Sequence, residues 1–227
     1  MSVPVITVDG PGGSGKGTVC RALATTLGWH YLDSGALYRI VGLAAAERGI
    51  ALEDVASLAS LAATLPVRFG ADRKDERVWL GNRDVSVAAR TEDAGKAASS
   101  IAVLPEVRAA LLGRQRAFAA PPGLVAEGRD MGTVVFPDAD LKVYLTASPE
   151  ERARRRHKQL KEKGIDVSLP ALLQDIAARD ERDANRPVAP LRAADDAREL
   201  DSTDMSAQQV VSRILDWWEA TVISRRH

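Results

Sequence analysis

The residues Gly10-Pro11-Gly12-Gly13-Ser14-Gly15-Lys16-Gly17-Thr18, set directly after Val5-Ile6-Thr7-Val8-Asp9, constrain this chain more than any other feature. The β-branched run reads as a buried strand. The glycines let the backbone turn tightly with its N–H groups facing inward, and such a nest at a helix N-terminus binds phosphate anions. Lys16 adds a mobile positive charge over the β- and γ-phosphates of a nucleotide. A helix is predicted to follow, because Val19, Ala22, Leu23, Thr26 and Leu27 fall at i, i+3, i+4, i+7 and i+8. A glycine-rich turn without a ligand would not require strand, spacing and helix together. The combination reads as a nucleoside triphosphate site, a P-loop.

Gly17 stands where most such loops carry the Ser or Thr that ligates Mg²⁺, and the hydroxyl arrives one residue later at Thr18. A Lys-Gly-Thr ending resembles the nucleoside monophosphate kinases. That resemblance implies that Mg²⁺ is held mainly through ATP phosphates and waters, with Thr18 nearby and no protein ligand directly assigned.

The 227 residues, 45% hydrophobic and 27% charged, suffice for one α/β domain with insertions. Lys and Arg together number 31, as do Asp and Glu, so no global basic field argues for a nucleic-acid partner. Aromatics at 4% leave little for stacking bases. The lone cysteine, Cys20, forms no internal disulfide and reads as a small packed residue. The N-terminus runs into a strand without a basic leader, and no run of 18 apolar residues occurs. The expectation is a cytoplasmic protein, monomeric and without a membrane partner.

Strand-like runs at Val3–Val8, Trp29–Leu32, Gly123–Ala126, Leu141–Leu145 and Glu199–Asp201 alternate with helical segments, the pattern of a parallel sheet with crossover helices. A last helix from about Ser206 presents Val210, Val211, Ile214, Leu215, Trp218 and Val222 on one face and should dock on the sheet. Two stretches depart from the alternation. Val67-Arg68-Phe69, Val78-Trp79-Leu80 and Arg83-Asp84-Val85, with Gly81-Asn82 between the last two, predict short antiparallel strands in a separate lobe. From Ser148, a capping box with Pro149 opens a helix rich in arginine and almost without an apolar stripe. It is either a solvated face, with Glu150 and Glu151 partnering only its first turn, or a lid. As a lid, Arg152, Arg155, Arg156 and Gln159 would share a face over ATP phosphates.

Arg39, after Asp33-Ser34-Gly35, and Arg129, within Glu127-Gly128-Arg129-Asp130-Met131-Gly132, lie just past strand ends, where ligands bind in open α/β sheets. Packing explains a strand-end arginine beside glycine poorly, and two of them suit bidentate clamping of a second phosphate. Alternation along an extended loop would turn Asp130 away from Arg129. Arg179, Arg182, Asp183 and Arg186 recur at helical spacing before Pro187, which an exposed salt-bridge ladder would equally explain.

GPGGSGKGT, LDSGALYR, EGRDMGTVVFPDA and RDERDANR, in this order and spacing, closely resemble the bacterial cytidylate kinases from about Pro4 to the final helix. The resemblance implies a P-loop-type parallel sheet flanked by helices, with an antiparallel insert and a basic lid helix. Its parts would be a core at about residues 1–37, 100–150 and 185–227, a monophosphate-binding insert at about 38–99 and a lid at about 151–184. It implies cytosine contacts at Ser34, Arg108, Asp130 and Arg186, pentose and phosphate contacts at Ser99, Arg179 and Asp183, and acceptor-phosphate clamps at Arg39 and Arg129. Lys16, Arg129 and Arg179 would be catalytic, while residues 10–18 with Arg152 and Arg156 would bind ATP. The implied reaction is transfer of the γ-phosphoryl group of ATP to CMP or dCMP. A carboxylate suits the cytosine amino group and guanidinium its acceptors. Uracil would present a carbonyl to Asp130, which disfavours UMP, and a guanine-switch Asn-Lys-x-Asp motif is absent from the sequence.

Overall fold

The computed structural model describes residues 3–69, 77–162, 164 and 166–224. Strand β1 (Val5–Asp9) is buried at every position, as its uninterrupted apolar run requires of a parallel strand covered on both faces. Helix α1 (Lys16–Leu27) begins at the lysine itself. Strand β2 (His30–Asp33) passes straight into α2 (Ser34–Glu47), where the Asp33 carboxylate caps the helix by accepting from the Ala36 N–H at 3.0 Å. Then come α3 (Val55–Thr64), β3 (Val67–Phe69), β4 (Val78–Leu80), β5 (Arg83–Asp84), α4 (Glu92–Ile101) and α5 (Pro105–Arg116). The remainder is β6 (Leu124–Gly128), one π-helical turn (Met131–Val135), β7 (Leu141–Thr146), α6 (Pro149–Glu162), α7 (Leu169–Ala184), β8 (Arg198–Asp201) and α8 (Ala207–Ser224).

The strands make a five-stranded sheet in the order β2-β6-β1-β7-β8 and a three-stranded sheet in the order β3-β4-β5. The β1–β7 and β7–β8 pairs are parallel, whereas β3–β4 and β4–β5 are antiparallel. The chain divides into two compact units, one built mainly from residues 24–124 and the other from 4–23 and 125 onward.

In the first unit α2 packs on α4 and α3 on α5. Ile40 of α2 is fully buried with Val78, Val85 and Ala89, flanked by Leu43, Val67 and Leu80, so the small sheet is a lid on one face of α2. The hairpin turns through Gly81, whose φ of +60° is left-handed.

In the second unit α6 does carry a thin apolar stripe. Ala153 and Leu160, seven residues apart, pack on Leu172 with Leu169, Leu173 and Ile176 of α7. The Ser148 hydroxyl accepts from the Glu151 N–H at 3.2 Å, which is the forward half of the expected capping box. Helix α8 packs on β7; of its predicted face Val210 and Ile214 are buried, while Val211, Leu215, Trp218 and Val222 are half-buried. The face of α1 departs from expectation: Val19, Cys20, Leu23 and Ala24 are buried and Thr26 is exposed. The stripe is counted from Lys16, buried within the loop, and runs 16, 20, 23, 24, 27, which carries Thr26 off the packed side.

Replacing Ile40 by Ala should cost about 2–5 kcal/mol, because the deleted atoms leave a cavity that α2 and the three-stranded sheet cannot both close. Urea unfolding monitored by circular dichroism measures this. A loss under 1 kcal/mol would show that the sheet does not depend on α2.

Candidate active site

Strand β1 leaves the sheet through Gly10, whose φ is +151° and where a Cβ would lie 2.0 Å from the Leu145 carbonyl oxygen, so only glycine passes. Beyond it, cationic side chains grip the loop by its carbonyls. Lys16 Nζ donates to Pro11 O at 2.7 Å, Arg152 Nη1 to Gly12 O at 3.2 Å and Arg155 Nη1 to Ser14 O at 3.2 Å. Carbonyls occupied in this way leave the amides of the loop for an anion.

Lys16 is 6% exposed. Burial, and then the neighbouring Arg129, push its ammonium down to about 7, against a smaller pull upward from Glu127. Gly17 lies close under both Arg21 and Glu127: a Cβ there would meet Arg21 Nη2 at 3.2 Å and Glu127 Oε1 at 3.3 Å. Thr18 is exposed on α1.

A second set of charges gathers over Gly12. A Cβ there would lie 3.5 Å from Arg129 Nη2 and 3.6 Å from Arg179 Nη1, so the P-loop, the end of β6 and α7 converge. Asp183, 1% exposed, organises the arginines: Arg129 Nε donates to its Oδ2 at 2.8 Å and Arg186 Nη2 to its Oδ1. Burial alone would raise the Asp183 carboxyl, but Arg129 and Arg186 outweigh it and hold it below the usual range. Arg186 lies beyond the end of α7 and still reaches Asp183, while Arg182 is exposed and turns back to the Ala178 carbonyl. The spacing therefore marks a mixed segment, with Arg179 and Asp183 facing the loop and Arg182 facing solvent.

On α6, Arg152 is buried and bidentate to Asp180, and its Nε donates to Ala147 O at 3.0 Å. Arg155 donates to Glu151 and to the Ser202 carbonyl. Arg156 bonds Gln159 on its own helix, and exposed Arg154 pairs with Glu151. The basic face thus splits, with Arg152 and Arg155 turned to the loop and Arg156 and Gln159 lying further along the helix.

The first unit holds four more expected positions. Ser34 is buried at the start of α2, and Arg39 Nη1 donates to the Ala89 carbonyl at 3.4 Å. Ser99 Oγ donates to the Gly95 carbonyl at 3.1 Å, and Arg108 Nη1 to the Ala102 carbonyl at 3.3 Å and to the Tyr38 hydroxyl at 3.5 Å. In the second unit Asp130 is buried, but its φ of −147° and ψ of 23° are not those of an extended loop. Alternation therefore does not govern its direction, because the π-helical turn begins at the next residue.

Asp9, Glu127, Asp180 and Ser202 are site residues that sequence reasoning did not assign. Asp9 is buried at the end of β1: its Oδ1 accepts from the Met131 N–H and its Oδ2 from the Gly132 N–H, both at 2.8 Å. Burial pushes its carboxyl up to about 6, while the two amides pull the other way. A carboxylate at the last position of a strand entering the loop was the available signal.

The cytidylate kinase family model matches residues 6–220. A cytidylate kinase of Nitrosococcus oceani is 58% identical over 217 residues, covering 95% of this chain and 96% of that protein. One of Chromobacterium violaceum is 56% identical over 219 residues, covering 96% and 97%. Among solved structures, an uncharacterized protein of Eubacterium ventriosum aligns with a TM-score of 0.54 at 11% identity, over 96% of this chain and 98% of that one, a likeness of fold.

A bound polyphosphate should restore the charge of Lys16, whose ammonium stands near 7 without an anion. At pH 8 binding of inorganic tripolyphosphate should therefore take up about one proton more per site in the wild type than in Lys16→Met, the ligand's own protons being common to both. Titration calorimetry in two buffers of different ionisation enthalpy measures the difference. Equal proton exchange in the two proteins would contradict the assignment.

Proposed function

Since the chain belongs to the cytidylate kinase family, we propose the following division of its residues between donor and acceptor. The enzyme transfers the γ-phosphoryl group of ATP to CMP or dCMP, giving ADP and CDP or dCDP, in pyrimidine nucleotide metabolism. Residues 10–18 hold the ATP phosphates, Arg152 shapes that loop through Gly12, and Arg156 reaches the donor from α6. Arg39 and Arg129 clamp the acceptor phosphate, Ser99, Arg179 and Asp183 serve pentose and phosphate, and Ser34, Arg108, Asp130 and Arg186 serve the base. In this reading the three-stranded sheet belongs to the monophosphate-binding insert and α6–α7 is the lid of a cytoplasmic, monomeric enzyme.

The observation that supports this best is the convergence of Arg129 and Arg179 on Gly12 beside Lys16. A phosphate monoester is already anionic at neutral pH, so its attack needs no general base. Catalysis reduces to aligning two phosphates and dispersing charge on the moving group. Asp183 takes the Nε of Arg129, which aims Nη2 toward Gly12 and the loop. Lys16 and Arg179 flank the same space.

We infer that Mg²⁺ arrives bound to the ATP phosphates rather than to a protein site. Mg²⁺ would neutralise charge on the ATP phosphates. Glu127, buried beside Gly17, would be the carboxylate that meets its waters, with Thr18 nearby.

Base choice separates CMP from the nearer rival, UMP. Asp130→Ala removes an acceptor that only the cytosine amino group can use, so kcat/KM for CMP should fall by about 1.5–3 kcal/mol, or roughly ten- to a hundredfold. UMP turnover should fall much less. Coupled ADP release with both substrates, on Asp130→Ala and Asp130→Asn, gives the ratio; an unchanged ratio would place base selection elsewhere. In Arg129→Ala the loss should fall on kcat/KM for CMP. A variant whose main defect was ATP affinity would move this arginine to the donor side.

A further inference from the structure

Asp9 sits where β1 ends and the P-loop begins, and it is 5% exposed. Its carboxylate spends one oxygen on each of two consecutive amides, Met131 and Gly132, more than a hundred residues away in sequence. These are the first N–H groups of the π-helical turn, which Asp130 does not cap with its own side chain. The residues immediately before that turn are Arg129 and Asp130. On their other side the chain is fixed as Glu127 and Gly128 of β6. Only two residues therefore lie between a strand and a doubly bonded pair of amides, and their φ and ψ have little freedom.

We propose that Asp9 is the positioning residue of the acceptor loop: by holding the amides of Met131 and Gly132 it sets where Arg129 and Asp130 present their side chains, and so governs CMP affinity and base choice without touching substrate. The proposal rests on the reading of Arg129 and Asp130 given above. The residue type supports it. A carboxylate buried here is costly, as its upward displacement to about 6 shows, and asparagine would avoid that cost. Asparagine has only one acceptor, however, and its amide nitrogen would face the second N–H. A carboxylate alone satisfies both amides at once. The charged groups facing Asp9 are Asp130 and Lys16; Asp130 opposes its ionisation, Lys16 favours it, and both act less strongly than burial and the two amides.

Asp9→Asn tests this in the intact enzyme. KM for CMP should rise about tenfold, the size of one charged hydrogen bond, and the CMP:UMP ratio of kcat/KM should fall. KM for ATP at saturating CMP should change less than threefold. The double variant Asp9→Asn/Asp130→Ala should be no less selective than Asp130→Ala alone, because Asp9 acts on base choice only through its neighbour. In ¹H–¹⁵N spectra the Met131 and Gly132 amide protons should lie downfield in the wild type and move upfield in Asp9→Asn. Equal rises in both KM values, or additive losses of selectivity in the double variant, would overturn the proposal. Moved amide signals with an unchanged CMP:UMP ratio would also overturn it. Failure of Asp130→Ala to alter base choice would instead strike the reading of Asp130, and the amide shifts together with the KM split would still decide the role of Asp9. If Asp9→Asn does not fold, Asp9→Ser, which removes the charge with less bulk, carries the same comparison.

Discussion

Burial of the Lys16 ammonium beside a second cation, Arg129, is the constraint on which the site depends. Lys16 is buried in its loop, and Arg129 is one of the reasons its ammonium falls to about 7. Arg179 stands over the same glycine as Arg129. Without an anion this arrangement is costly, and carboxylates placed behind the cations make it tolerable: Asp183 behind Arg129 and Arg186, Asp180 behind Arg152, Glu127 beside Lys16. Buried pairs of this kind add little net stability, because desolvation consumes most of the Coulombic gain. What they supply is direction. In the proposed function, phosphate binding would relieve repulsion as well as form new hydrogen bonds, and the transferring group would meet positive charge that needs no reorganisation.

The scaffold supplies those positions cheaply. A parallel sheet brings the ends of β1, β6 and β7 to one edge, and each end carries part of the site. β1 leads to Asp9 and the loop, β6 leads to Glu127 and Arg129, and β7 leads to α6 with Arg152 and Arg155. α7 contributes Arg179, Asp180 and Asp183 within five consecutive residues, so one helix carries both a cation over Gly12 and the carboxylates that counterbalance neighbouring arginines.

What the sequence made legible follows from the range of each interaction. Strands β1, β6 and β7 appear as apolar runs because burial acts residue by residue, and the P-loop appears because its geometry is local. The hairpin at Gly81 and the cap at Ser148 are local as well. The stripe of α1 was displaced because Lys16, a charged residue, is the one that sets the buried face. The role of Asp183 was open, because a spacing of three and four residues describes an exposed ladder as well as a buried organiser. Asp9 offered only its residue type at the end of a strand as a signal, because its partners are the backbone amides of Met131 and Gly132, which leave no mark on the residues that carry them. The same holds for Arg152 and Arg155, whose targets are the carbonyls of Gly12 and Ser14.

In the proposed reaction the γ-phosphoryl group passes from the donor loop to an acceptor phosphate with no loss to water. Incubating the enzyme with ATP labelled at the γ-phosphorus and with CMP, then separating the products, tests it. The label should appear in the β-phosphate of CDP, with inorganic phosphate at background. Label recovered mainly as inorganic phosphate, or CDP formed without it, would contradict such a transfer.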